Sequence, residues 1–171
     1  TFGATGSLSI YGVNSIRDFF ANDIVTQPGI LLAGMALMVV GLSFKVSAAP
    51  FHQWAPDVYQ GAPSAAVGIM AAGVKVAGFA ALARIFVGGF VSQIDSWAPI
   101  IAIIAALSMV IGTVLALVQS DLKRLLAYSG VAHAGYILTG MVAGIDGIPA
   151  MWFYVATYAF MIIGSFAVVS V

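Results

Sequence analysis

The chain has 171 residues, of which 62% are hydrophobic and only 7% are charged, and its mean hydropathy is +1.09. Soluble domains are typically about 45–50% apolar and about 25% charged, so this composition indicates a membrane protein. The formal net charge is zero, which gives no indication of a nucleic-acid partner. Cysteine is absent, which excludes disulfides, cysteine-based zinc sites and iron–sulfur ligation, and we expect neither a cofactor nor a metal in this chain.

The first 28 residues contain glycines, serines and the charges between Arg17 and Asp23, which exclude a membrane span. We interpret residues 1–28 as an extramembrane or interfacial connection. Within it, Ser15 is followed by recurring apolar side chains as far as Ile24, which predicts a short amphipathic helix lying at the membrane interface.

The rest of the chain, residues 29–171, predicts a bundle of membrane spans. A span needs about 20 apolar residues, and five runs qualify: 29–49, 63–87, 98–118, 122–143 and 149–171. All must be helical, because backbone amides in hydrocarbon must be satisfied within their own segment. We therefore predict an all-α, polytopic transmembrane bundle, with the first span broken near Pro50. Pro99 should lie in the first turn of the third span, and Asp121 should cap the fourth.

Small residues recur at four-residue spacing in these runs. The pairs are Gly68 and Ala72, Gly73 and Ala77, Gly130 and Ala134, and Gly140 and Gly144. Such pairs permit close approach of helices, and as a set they predict a packed bundle.

Lys75 carries the clearest functional indication. It lies about 12 residues from either end of its run, roughly 18 Å of helix rise, which is too far for its stem to reach the headgroups. An ammonium group is costly in hydrocarbon, so the side chain should face the bundle interior, a partner or water. Burial disfavours the charged form of an amine, so such a lysine can take up and release a proton. The alternative is a static structural ion pair.

Lys45 comes before a polar, proline-containing break that runs from Pro50 to Pro63. Broken helices in transporters place free carbonyls beside an ion path, so Lys45 is a candidate for that path. It lies only five positions before Pro50, so reaching to the interface is the alternative. A histidine exchanges protons near neutral pH, so His52 is a candidate for proton entry. Asp57 is a weaker candidate. For both residues the alternative is turn stabilisation, which is the better explanation for Asp57.

His133 lies about nine residues beyond Arg124, near the middle of the fourth run. One interpretation is a proton relay with Ser129 and Tyr136, which lie on neighbouring turns of the same helix. The other is a structural histidine bonded to a carbonyl or to Ser129. At the start of the run, Lys123 marks a membrane end and is a further weak candidate for the entry side.

Two blocks of sequence carry a resemblance. They are residues 44–47 (FKVS) with 50–63 (PFHQWAPDVYQGAP), and residues 121–129 (DLKRLLAYS) with 133–136 (HAGY). Together they resemble the antiporter-like membrane subunits of proton-pumping NADH:quinone oxidoreductase, respiratory complex I, and the resemblance covers nearly the whole chain. Two features are most similar to the N-type subunits of that family. One is the sequence PDVYQGAP, and the other is Met161, at a position where sister subunits carry a lysine.

This resemblance implies a 14-helix subunit of which the chain is a middle portion, with Lys45 in the broken seventh helix and Lys75 in the eighth. It implies that Lys75 and Lys45 change between charged and neutral states in response to quinone chemistry in other subunits, which also bind the quinone. Protons would then pass through waters between polar side chains, and His133 is our candidate for a further member of this path. The family further places a glutamate in the fifth helix and a lysine in the twelfth, and neither lies in this chain. The implied partners are other membrane subunits of complex I and the lipid bilayer, in a bacterial plasma membrane or equivalent energy-transducing membrane.

Two other functions remain open. The first is a cation/proton antiporter subunit of the multi-subunit sodium type, which shares the fold. The sequence of residues 58–61 argues against it. The second is a structural scaffold that moves no ions; the mid-membrane lysines argue against it. A transport function predicts that Lys45 and Lys75 lie in one continuous row of polar side chains inside the bundle.

Overall fold

The computed structural model of the chain describes residues 9–11, 15–21 and 28–170. Within these ranges the chain forms helices and turns and contains no strand, which confirms the predicted all-α class. The first helix, α1 (Ile16–Ala21), begins where the sequence predicts a short helix, and the Ser15 hydroxyl accepts a hydrogen bond from the Asp18 amide at 3.2 Å. Ile24, the last apolar residue of the predicted amphipathic helix, lies outside the described residues.

Six longer helical elements follow. They are α2 (Pro28–Lys45), α3 (Trp54–Gly61), α4 (Ser64–Leu82) with a π-helical extension (Ala83–Gly89), α5 (Ile94–Leu117), α6 (Leu122–Val142) and α7 (Ile148–Val169). Within the described ranges, four helical stretches are long and apolar enough to cross a membrane: Ser64–Gly89, Val91–Leu117, Leu122–Val142 and Gly144–Val169. The first predicted span is a shorter apolar helix, Gly29–Lys45.

The break in the first span begins earlier than the sequence predicts. Helix α2 ends at Lys45, because Ser47 adopts a positive φ of 59° that no right-handed helix continues. A cis peptide joins Ala49 to Pro50, and the chain becomes helical again at Trp54. The turn is buried and tied to α5, because the Ala49 amide donates to the Ser108 hydroxyl at 2.8 Å.

Close helix contacts form the core of the bundle. The long contact between α5 and α6 has glycines on both sides: a methyl group added at Gly112 would lie 2.5 Å from the Ala132 amide nitrogen, and one at Gly135 would lie 2.6 Å from the Ala105 carbonyl oxygen. Helix α4 packs against α7, where a methyl group added at Gly68 would lie 3.2 Å from Phe166 Cβ. The packed bundle is therefore held by close approach at small residues.

Not every predicted small-residue pair lies at a helix contact. Gly73 and Ala77 are exposed, and nothing lies within 4 Å of a methyl group added at Gly73. The prediction that this pair packs is wrong for the described part of the chain. Four-residue spacing sets which residues share a helix face, but it does not determine which face meets a neighbour.

The position predicted for Pro99 is also wrong. Helix α5 begins at Ile94, so Pro99 lies inside the helix, beyond its first turn. The added turn is stabilised by Trp97, whose indole nitrogen donates to the Phe90 carbonyl at 2.8 Å. Because proline has no N–H, the Asp95 carbonyl loses its helical hydrogen-bond donor. Both Pro99 and Asp95 are exposed on the surface.

Asp121 caps α6 as predicted. Its carboxylate accepts a hydrogen bond from the Arg124 amide at 2.9 Å, which satisfies one of the free N–H groups at the start of the helix. The cap fixes where α6 begins.

We expect the substitution Gly112→Ala to destabilise the protein by about 1–3 kcal/mol, the usual cost of overpacking, because backbone atoms of α6 block the added methyl group and cannot move aside cheaply. The thermal unfolding midpoint of the purified protein in detergent measures this change. Gly73→Ala is the matched control, since open space surrounds that position. Equal midpoints for the two variants would contradict the packing described here.

Candidate functional site

The Lys75 side chain lies inside the bundle, between α4, α6 and α7. It is 3% exposed, and its Nζ donates a hydrogen bond to the carbonyl of Gly130 on α6. The same nitrogen lies 3.4 Å from the Tyr158 hydroxyl and 5.2 Å from the centre of the Tyr158 ring, both on α7. The ammonium group is therefore held by a carbonyl, a phenol hydroxyl and an aromatic face.

Gly130 makes this arrangement sterically feasible. A methyl group added there would lie 2.9 Å from both Lys75 Nζ and the Tyr158 hydroxyl oxygen. Without a side chain at this position, α6 presents its backbone carbonyl directly to the lysine. The site thus depends on close helix approach as much as on polar groups.

The partners of Lys75 are all electrically neutral. Among the described residues it forms no salt bridge, and the chain contains no glutamate. The static ion pair that the sequence left open therefore has no carboxylate within the described part of the chain. Neutral dipoles and a cation–π contact satisfy the donors of the ammonium group but do not balance its charge.

His133 lies close to this site, on α6, and its contacts differ from those that the sequence suggested. Its Nδ1 is 2.7 Å from the Tyr154 hydroxyl of α7, which replaces Ser129 as its hydrogen-bond partner. Its ring centre is 5.2 Å from that of Tyr158 and 6.1 Å from that of Tyr136. The imidazole is thus surrounded by phenol rings, one of which also contacts Lys75.

A cavity adjoins the other side of His133. Its volume is about 390 Å³, and its lining includes Ser129, Tyr136 and Thr113. This cavity is open to the outside and most of its lining is apolar, so its few hydroxyl groups near His133 are the positions where water would bind. The cavity reaches His133 from the α5–α6 side, whereas Tyr158 and Lys75 lie on its α7 side.

Lys45 does not lie with Lys75 in one row of polar side chains inside the bundle. Its side chain is exposed, and among the described residues it has no hydrogen bond or ion pair. The Lys45 stem does pass close to α4, since a methyl group added at Gly78 would lie 3.7 Å from Lys45 Cγ. The expectation that both ammonium groups face one interior path is therefore not met by the described residues alone.

His52 lies in the buried turn after α2. It is 8% exposed, its ring packs edge-on against Tyr128 with centres 6.1 Å apart, and its Nδ1 has no hydrogen-bond partner among the described residues. The Ser47 hydroxyl in the same turn is likewise buried without a partner there. Buried polar atoms of this kind commonly bind internal water.

Asp57 and Lys123 hold two elements together at one end of the bundle. The Asp57 carboxylate forms a 2.6 Å ion pair with Arg124, and Lys123 Nζ donates to the Ala62 carbonyl at 3.0 Å. Arg124 also donates to the Gln60 side-chain oxygen at 3.1 Å. Asp57 therefore links α3 to α6 rather than stabilising only its own turn, and neither residue contacts Lys75.

The sequence interpretation missed Gly130, Tyr154 and Tyr158 as parts of the site. A signal was present, because the two tyrosines stand one helical turn apart in an otherwise apolar span. Two phenol hydroxyls in such a span need partners, and both point towards α6. For Gly130 the sequence offered only a small-residue pair.

Residues 1–171 match the family described as NADH:quinone oxidoreductase/Mrp antiporter, TM. The chain belongs to this family. The antiporter family assignment agrees with the all-helical fold and with the resemblance seen in the two sequence blocks.

Two relatives named NADH-quinone oxidoreductase subunit N illustrate the likeness. The one from Mycobacterium bovis is 48% identical over 169 residues, covering 98% of this chain and 31% of the relative. The one from Desulforamulus reducens is 43% identical over 173 residues, covering 99% of this chain and 35% of the relative. The chain thus spans about a third of the length of these relatives.

Two solved structures show the same fold. A chain of respiratory complex I from Thermus thermophilus with bound aureothin is 39% identical with a TM-score of 0.77, covering 99% of this antiporter-family chain and 34% of that one. A chain of the membrane-bound sulfane sulfur reductase, an archaeal respiratory membrane complex, is 30% identical with a TM-score of 0.79, covering 97% and 33%.

We expect Gly130→Ala to displace Lys75 Nζ from the carbonyl at position 130 and to lower the stability by about 1–3 kcal/mol, because the buried ammonium group then loses a hydrogen-bond partner. The added methyl group meets the ends of two side chains, which can swing aside more easily than backbone. Electron cryo-microscopy of the purified variant measures the displacement, and its thermal unfolding midpoint measures stability. Gly73→Ala is the control, and an unchanged contact between Lys75 and residue 130 would refute the steric argument.

We also expect the coupling free energy between Asp57 and Arg124 to be small and to fall with added salt, since the Asp57 side chain is 76% exposed. A double-mutant cycle of Asp57→Asn and Arg124→Gln, read by thermal unfolding at low and high salt, measures the coupling. A coupling that is large and persists in 1 M salt, where the Debye length is about 3 Å, would show that the pair is shielded from solvent.

Proposed function

We propose that this chain is part of a proton-translocating membrane subunit of NADH:quinone oxidoreductase. Protons move through a path that includes Lys75 and His133 in the bundle and Lys45 at the helix break. The drive is electrostatic and comes from quinone reduction in other subunits, which also bind the quinone. The protein lies in a bacterial plasma membrane or an equivalent energy-transducing membrane, in contact with the other membrane subunits.

The observation that carries this proposal is the position of Lys75. Eleven residues separate it from Ser64 at the start of its helix, which is about 16 Å of rise, and it is 3% exposed. A lysine so deep in a membrane span is expensive, and such residues mark ion paths and proton relays. Its neutral partners support a nitrogen that changes its charge, because no carboxylate among the described residues locks it in the ammonium form.

His133 and its cavity support a route away from Lys75. The imidazole is one phenol ring away from the lysine and borders a cavity with hydroxyl groups in its lining. Histidine and water are suitable carriers for the next transfer. His52, in the buried turn after Lys45, is a second proton carrier in this proposal. Its Nδ1 has no hydrogen-bond partner in the described part of the chain, and a water molecule would bind there.

The exposed Lys45 fits the same proposal. The resemblance places its partner glutamate in a helix outside this chain, and the relatives are about three times as long. In the longer protein that helix covers the exposed face of Lys45. The neighbouring stem contact with α4 keeps Lys45 next to the helix that carries Lys75.

The names of the similar proteins support the oxidoreductase assignment over the sodium-type antiporter. The family description includes both NADH:quinone oxidoreductase and Mrp antiporter, so it does not separate them. The relatives described above are named NADH-quinone oxidoreductase subunit N. A similar chain in a sulfane sulfur reductase complex indicates that this fold accompanies more than one kind of redox chemistry.

We expect Lys75→Met to lower proton uptake per NADH oxidised by at least about tenfold, because it removes a group that must gain and lose a proton. The measurement uses inverted membrane vesicles from cells carrying the variant, with a pH-sensitive dye and with NADH oxidation followed in parallel. Arg84→Gln, which removes an exposed cation far from Lys75, serves as the control.

Normal proton uptake per NADH in vesicles with Lys75→Met would favour the scaffold function instead. Uptake that depends on sodium, in the wild-type vesicles, would favour the sodium-type antiporter.

A further inference from the structure

Tyr158 contacts Lys75 in two ways at once. Its hydroxyl oxygen lies 3.4 Å from Lys75 Nζ, and its ring centre lies 5.2 Å from the same atom. The side chain is 3% exposed and packs among Tyr59, Ile162 and small residues of α4 and α6. Its position is therefore restricted by packing.

The two partners of Lys75 differ in what they can do when the lysine loses its proton. The Gly130 carbonyl can only accept a hydrogen bond. A phenol hydroxyl can accept from an ammonium group or donate to the lone pair of a neutral amine. The Tyr158 ring face attracts the nitrogen only while it is charged. A neutral amine keeps two N–H donors, so the Gly130 carbonyl can accept from either charge state. Among the described partners, only the Tyr158 hydroxyl can also donate to the lone pair that the neutral amine gains.

Tyr158 also lies between Lys75 and His133. The ring centres of Tyr158 and His133 are 5.2 Å apart, and His133 is held on its other edge by Tyr154. The charged or titratable groups around the Lys75 nitrogen are Tyr158 from α7 and His133 from α6, with Lys45 of α2 beside the next turn of α4. A movement of the Lys75 nitrogen would therefore change its distance from His133.

We propose that Tyr158 is a positioning residue for proton transfer at Lys75: its ring holds the charged nitrogen and its hydroxyl bonds the neutral one, so the nitrogen keeps its place beside Gly130 and His133. This inference rests on the proposed function, since it concerns a proton step at Lys75. The proton that leaves Nζ continues along the path, and Tyr158 keeps its own proton throughout.

Two substitutions separate the contacts of Tyr158. Tyr158→Phe keeps the ring face and the packing volume and removes only the hydroxyl, whereas Tyr158→Leu removes both. We expect Tyr158→Phe to lower proton uptake per NADH about fivefold, the size of one lost hydrogen bond, and to change the pH dependence of uptake. Tyr158→Leu should lower uptake further, because the charged state loses its partner as well.

The matched control is Tyr59→Phe. Tyr59 is 2% exposed and belongs to the same packed cluster, but it is not a hydrogen-bond partner of Lys75. Its uptake and pH dependence should match those of the wild type. The readouts are proton uptake and NADH oxidation in inverted vesicles between pH 6 and about pH 9, with the amount of assembled complex measured by native gel.

The outcomes distinguish this inference from the proposed function. If Lys75→Met abolishes uptake while Tyr158→Phe matches the wild type in rate and pH dependence, the positioning role is wrong and the proposed function stands. If Lys75→Met has no effect, the proposed function fails. Loss of the assembled complex in Tyr158→Phe, with Tyr59→Phe intact, would show a purely structural role and would also overturn the inference.

Discussion

The structure depends on one constraint, which is that an ammonium group placed among apolar helices needs close polar partners. Lys75 obtains them from a backbone carbonyl of α6 and a phenol of α7, so three helices must converge at one point. That convergence requires Gly130, because any side chain there would occupy the space of the lysine nitrogen. The close packing of the helices and the hydrogen bonding of Lys75 therefore depend on each other at this site. The small residues that let the helices approach also expose the carbonyl that satisfies the charge.

The two lysines that the sequence singles out have opposite environments. Lys75 is enclosed by neutral partners, whereas Lys45 ends a helix and is exposed, with no partner among the described residues. The difference follows from the break. The positive φ of Ser47 ends α2 directly after Lys45, and the hydrogen bond from Ala49 to Ser108 fixes the following turn against α5. Helix α2 already buries Leu31, Met35 and Val39 in the core, and Lys45 lies on its exposed face. The polar side chains of the following turn, Ser47 and His52, are buried.

The sequence predicted features that depend on local chemistry. The helical class, the Asp121 cap and the interior position of Lys75 follow from backbone satisfaction, capping preference and the cost of burying a charge. It did not predict which helix faces meet, because these spans are apolar on all sides and have no amphipathic stripe. Gly73 and Gly130 therefore look alike in sequence, although one is exposed and the other faces Lys75. The start of α5 was missed for a related reason, since Trp97 stabilises that turn through a contact with Phe90.

If the proposed function holds, the neutral surroundings of Lys75 affect how a remote redox reaction would act on it. In a medium of low dielectric, a charge interacts over long distances with other charges, and a nearby carboxylate would offset most of that effect. Among the described residues no carboxylate pairs with Lys75, so its preference for a proton is open to influence from charges elsewhere in the membrane. Carbonyl and phenol dipoles can hold the nitrogen in place without fixing its charge. A static scaffold has no need of such a site, because an apolar side chain at this position would pack at lower cost.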